Sequence, residues 1–221
     1  MTLESNVVGE SILIASCLFG CYKTSKAAPK NYLAFQLIFL AIASAAVLGI
    51  LNYASIEKQH SSYYHPLVSS IVSNRIIPVL LPFAVYQAIN LGPVTISDSV
   101  GQLILGACIG FVALTTLNPT IIYSLGLPSA LTNLDGSLLA MLFCLLYALI
   151  WGMLIKGAER IRCTNMVAAV VVFAVADAVL KNNLVSHIPD LSRFADTVDV
   201  FHVLLSFAMV LVSNVAGGYN W

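Results

Sequence analysis

Apolar residues run along this chain in seven blocks of roughly twenty, separated by short polar segments, with no strand-like alternation inside any block. The blocks are Val7–Tyr22, Tyr32–Tyr53, Leu67–Ile89, Val100–Ile121, Ser137–Ile155, Met166–Leu180 and Val198–Val215. At 1.5 Å rise per residue, most are long enough to cross about 30 Å of hydrocarbon as helices. Backbone polar groups within a bilayer must be satisfied inside the segment, and these runs are too continuous for barrel strands. The pattern therefore predicts an all-α fold: one seven-helix transmembrane bundle over residues 1–221, in contact with the lipid bilayer.

Composition agrees with lipid as the solvent. The chain is 59% hydrophobic and 9% charged, with a mean hydropathy of +0.92, far too little polar surface to cover a soluble domain. The leading MTLESNVVGE carries no Lys or Arg and no small-residue cleavage site, so the first span is expected to be retained. Lys23, Lys26, Lys30, Lys156, Arg160 and Arg162 fall on one side of the spans, and Lys58, Lys181 and Arg193 on the other. The bias places the amino terminus outside and the carboxyl terminus in the cytoplasm. Tyr22, Tyr32, Tyr53, Trp151, Tyr219 and Trp221 lie near span ends, where amphipathic rings favour the headgroup layer.

Ionisable residues inside spans are costly and direct attention to function or to buried pairs. With this topology Glu10, Arg75, Asp177, Asp199 and His202 all fall in the outer half, so a polar cavity formed by spans one, three, six and seven should open outward. In span seven, Asp199, His202, Ser206 and Ser213 share one helical face. That stripe reads either as a ligand face or as a cap at Asp199 with a histidine bonded to a neighbour. In span three, Pro78 and Pro82 remove two amide donors one turn apart, so a bend is expected beside Ser73, Asn74 and Arg75. Arg75 needs a carboxylate, for which Glu10, Asp177 and Asp199 are the candidates. Gly106 and Gly110 in GxxxG spacing predict close helix packing in span four. The five cysteines form no CxxC pair and are read as small apolar residues.

Several classes are excluded. Span seven lacks the lysine a retinal Schiff base requires, there is no P-loop or HExxH, and a neutral chain embedded in lipid is no partner for nucleic acid. Ser61-Ser62-Tyr63-Tyr64-His65 and Asp199-Val200-Phe201-His202 resemble the Ser-x-x-x-His and last-helix histidine elements of the CREST membrane hydrolases. These are alkaline ceramidases and adiponectin-receptor-like proteins, seven-helix enzymes that use zinc to hydrolyse lipid amides. Ser206 stands where that family has the second histidine of its last-helix motif. The resemblance implies zinc held by His65 and His202, an oxyanion supported by Ser61, and an acidic residue activating water.

A catalytic zinc needs three protein ligands and an open position. His65, His202 and Asp199 are the expected set, with Asp177 and Ser61 as catalytic groups and Arg75, Glu10 and Ser206 contacting substrate. The leading expectation is thus a metal-dependent intramembrane hydrolase of a lipid amide or ester. A transporter or channel built on the kinked third helix is the alternative. A sensor or complex subunit without a reaction is the third.

Overall fold

The computed structural model describes residues 3–27, 33–54, 58–77, 79–81, 84, 99, 102–103, 106–107, 110, 124, 126, 158–188, 192 and 195–217. Among them every regular element is helical. Helix α1 is Leu3–Ala27, α2 is Leu33–Ala54, and α3 is Lys58–Ile71, which runs into a π-helical turn at Val72–Ile76. Helix α4 is Ala158–Lys181, followed by a 3₁₀ turn at Leu184–His187, and α5 is Thr197–Gly217. Among the described residues four stretches are long and apolar enough to cross a membrane: Asn6–Lys26, Leu33–Asn52, Arg160–Lys181 and Thr197–Val215. They match the expected first, second, sixth and seventh spans. Nearly all of the expected fourth and fifth spans, together with Pro78, Pro82, Trp151, Tyr219 and Trp221, lies outside the described residues.

Helix α2 shows why lipid suits this chain. Phe35, Ile38, Phe39, Ile42 and Ala46 are buried in the bundle, while Leu37, Leu40, Val47 and Leu51 on the opposite face stay exposed. A helix apolar all round has no face for water. The buried side meets Leu13 and Cys17 of α1, Met209, Val212 and Val215 of α5, and Met166, Ala169 and Val170 of α4 in one core.

Helices α1 and α5 run parallel. Glu10 near the start of α1 faces His202 near the start of α5, and at their far ends the Lys23 ammonium donates to Asn214 Oδ1 over 2.7 Å. Helix α2 returns antiparallel to α1, placing Gly49 beside Glu10 and Phe39 beside Gly20. Helices α4 and α5 are joined through a turn with Asn183 in the left-handed region (φ 48°), where the Thr197 hydroxyl donates to Asn183 Oδ1. The start of α1, the end of α2, α3, the end of α4 and the start of α5 therefore share one end of the bundle.

Two expectations shift in the third helical segment. His65-Pro66 predicts a helix starting at Leu67, but α3 begins at Lys58 and runs through Pro66, so His65 sits on a helix. The bend expected beside Ser73, Asn74 and Arg75 takes the form of a π turn at Val72–Ile76, with the Ile77 amide donating to the Val72 carbonyl.

Most of the segment around Gly106 and Gly110 lies outside the described residues. Among the described glycines a close approach occurs at Gly20, where a Cβ would come within 2.6 Å of the buried Phe39 ring. Gly20→Ala is expected to lower the thermal stability of the detergent-solubilised protein. Overpacking of about 1–3 kcal/mol outweighs the roughly 1 kcal/mol helix-propensity gain of alanine. In a Phe39→Leu background the same change should stabilise. A raised melting temperature in the wild-type background would show that the ring has room to move.

Candidate functional site

At the shared end of the bundle a cavity of about 630 Å³ opens between the helices. Leu13, Ile42, Ala46, Leu81, Phe173 and Leu205 are among its apolar walls, and Ser69, Ser70 and Ser73 add hydroxyls from the third segment. Its volume lies within the roughly 300–1,000 Å³ range of small-molecule sites.

Three ionisable side chains from three helices converge on one wall. Glu10 Oε1 on α1 lies 3.4 Å from His202 Nε2 on α5 and 3.7 Å from His65 Nε2 on α3. Glu10 is 1% exposed and His202 6%, while His65 is half-buried. Both separations exceed the 2.7–3.2 Å of a good N–H···O bond. Glu10 Oε1 and His202 Nδ1 have no hydrogen-bond partner among the described residues. As they stand, no three His, Cys, Asp or Glu side chains among the described residues enclose an ion.

Backbone without side chains makes the cluster sterically feasible. A Cβ at Gly49 would run into the Glu10 carboxyl, with its Cδ at 2.7 Å, and would lie 3.2 Å from His65 Nε2. A Cβ at Gly9 would lie 3.2 Å from both Cβ and Nδ1 of His202. Neither glycine belongs to a recognisable motif. The only signal that could have identified Gly49 from sequence is its position in the outer half of span two, opposite Glu10 in span one.

The remaining predicted residues are placed as follows. Asp199 takes the capping role: its Oδ2 accepts from the Asp196 amide at 3.0 Å, and its own amide donates to Asp196 Oδ1 at 2.7 Å. This is a reciprocal capping box with aspartate at both positions. Asp199 is not among the residues lining the cavity. The Ser206 hydroxyl donates to the His202 carbonyl at 2.7 Å, an intrahelical bond, and Ser206 is not among the residues lining the cavity. Asp177 lines the cavity but pairs with Lys181 one turn on, at 2.8 Å, and both are exposed at the rim. Arg75 is half-buried in the π turn. Ser61 lies on α3 with its side chain outside the described residues. The structure thus brings together His65, His202 and Glu10, the last read from sequence as a substrate contact.

Imidazole ¹⁵N shifts separate these roles. Gly49→Ala is expected to move the His65 and His202 signals by displacing the Glu10 carboxyl. Asp196→Ala and Asp199→Ala should each cost about 1 kcal/mol of stability and leave those signals in place. If Asp199→Ala moves them as far as Glu10→Gln does, Asp199 belongs to the cluster after all. No family model, curated protein or solved structure matches the chain, so the site is read from its own geometry.

Proposed function

We propose that this chain is a metal-dependent intramembrane hydrolase that draws a lipid amide or ester from the bilayer into the cavity and cleaves it at the Glu10–His65–His202 cluster. The convergence of these three side chains on the wall of a mainly apolar cavity carries the reading. Glu10 is four residues from the start of its candidate span and His202 five, which puts both about 6–8 Å below the span ends. That depth is the boundary between headgroups and acyl chains, where the cleavable carbonyl of a membrane lipid lies. Acyl chains would pack against Leu13, Ile42 and Phe173, and the headgroup would face the Asp177–Lys181 pair at the rim.

Hydrolysis requires a water to lose a proton as it attacks the carbonyl, and the leaving amine or alcohol to gain one. A bound metal ion would bring the pKa of that water toward about 7 and polarise the carbonyl. The apolar walls keep bulk water away, which strengthens every electrostatic contact at the reacting atoms. Asp177, paired and exposed, is better suited to the headgroup than to the chemistry.

The topology we propose is seven spans with the amino terminus outside. Parallel first and last spans require an odd number of crossings, more than the four candidate spans supply. Lys23, Lys26, Arg160 and Arg162 also sit at the bundle end away from the cavity, as cytoplasmic residues should. A second reading, transport of a small molecule or ion, draws on the π turn at Val72–Ile76, because such turns recur at functional sites.

The test is release of fatty acid from lipid amides and esters by the purified chain in mixed micelles. Glu10→Gln and His202→Ala should lower kcat by roughly 10²-fold or more, while Ser206→Ala should stay within about threefold of wild type, since its hydroxyl bonds only backbone. Equal loss in all three would point to general damage of the helix pair. Absence of hydrolysis, with solute uptake into proteoliposomes that depends on Arg75, would favour the transport reading.

A further inference from the structure

Charge is distributed unevenly between the two ends of the bundle. Among the described side chains the carboxylates Glu10, Asp177, Asp196 and Asp199 belong to the cavity end, whereas Lys23, Lys26, Arg160 and Arg162 belong to the opposite end. We propose that Phe19, Tyr22, Lys23 and Lys26 of α1 bind the headgroup and upper acyl chain of an anionic glycerophospholipid. The site is remote from the cavity and stands independently of the hydrolase reading.

The four residues make one stripe. Positions 19, 22, 23 and 26 are spaced i, i+3, i+4 and i+7, which puts them on a single face of α1. Each ammonium folds back over the ring four residues before it: Lys26 Nζ lies 4.6 Å from the Tyr22 ring centroid, and Lys23 Nζ 5.6 Å from that of Phe19. Both fall within the cation–π reach of about 6 Å. Lys23 is fixed further by its 2.7 Å bond to Asn214 Oδ1 on α5. Ordering two long cationic side chains normally opposes binding, and here much of that ordering is already present.

Depth and charge select the ligand. The candidate span ends at Lys26, so the ammonium groups lie at headgroup level and the rings about one turn deeper, beside the first methylenes of a neighbouring lipid. Leu18, Phe19 and Tyr22 are exposed there and offer an acyl chain an apolar surface. In the sequence, the segments expected at this end hold Lys23, Lys26, Lys30, Lys156, Arg160 and Arg162 against Asp98 and Glu159. A phosphodiester with net negative charge, as in phosphatidylglycerol, complements that excess. Phosphatidylcholine, whose choline cancels its phosphate, does not.

The experiment is native mass spectrometry of the full chain, delipidated in neutral detergent and incubated with equimolar phosphatidylglycerol and phosphatidylcholine of the same acyl chains. Wild type should retain phosphatidylglycerol in roughly tenfold excess or more, with each basic group contributing about a fivefold factor. Lys26→Gln should lower that excess about fivefold, Lys26→Arg should keep it, and Tyr22→Leu should lower it roughly twofold or more. Lys181→Gln, at the cavity end, should leave it unchanged. Equal retention of the two lipids by wild type would overturn the site.

A preference that survives in the Lys23→Gln, Lys26→Gln double variant would overturn it too, because the lipid would then bind elsewhere. Lys23 links α1 to α5; should its variants not fold, the exposed Lys26 and Tyr22 decide alone. Inorganic phosphate in large excess should leave the lipid bound. Its displacement by phosphate would overturn the lipid as ligand in favour of a free anion.

Discussion

A carboxyl group in the dry interior of an apolar bundle is the constraint around which the described part of this protein is arranged. Glu10 is 1% exposed and lies beside two imidazoles. Leaving it ionised and unpaired there would cost several kcal/mol. Three helices must be positioned together for that cost to be offset: α1 carries the carboxyl, and α3 and α5 each carry a histidine to it. The parallel course of α1 and α5 is a direct consequence, because Glu10 and His202 both lie near the starts of their helices.

Helices α1 and α2 each leave room for the other: Gly49 of α2 accommodates the Glu10 carboxyl of α1, and Gly20 of α1 accommodates the Phe39 ring of α2. One helix thus meets α1 closely at both ends, once for packing and once for the site. In lipid, where apolar side chains gain little by leaving their solvent, such close backbone approach is a main source of association. The close approach at Gly49 also sets where the Glu10 carboxyl can point.

The third segment and the cap of α5 show how local chemistry narrows the choice of functional residues. The π turn before Pro78 alters the register of the third segment, on which Ser69, Ser73 and Ile77 line the cavity. Asp199 stands one turn from His202 and reads from sequence equally well as ligand or cap. The exposed backbone amides at the start of a helix need acceptors, and Asp196 and Asp199 supply them reciprocally. Asp177 is one turn from Lys181 and pairs with it at the rim. Both aspartates are thereby used locally, which leaves Glu10 as the carboxylate that faces the histidines.

The sequence by itself determined the solvent and the element type. Uninterrupted apolar runs in a chain with 9% charged residues can satisfy their backbone in lipid only as helices, and the described spans at Asn6–Lys26, Leu33–Asn52, Arg160–Lys181 and Thr197–Val215 follow those runs. It also placed Glu10 and His202 at one depth, because position along a span is nearly a linear coordinate across the membrane, and His65 in the segment flanking span three on the same side. Which of those groups meet was decided only by tertiary structure. Helix rotation and neighbour order are set by packing between helices whose faces are almost equally apolar, so hydropathy carries no record of them. Glu10 facing two histidines, Asp199 turned to its cap, and the close contact at Gly49 are all outcomes of that packing.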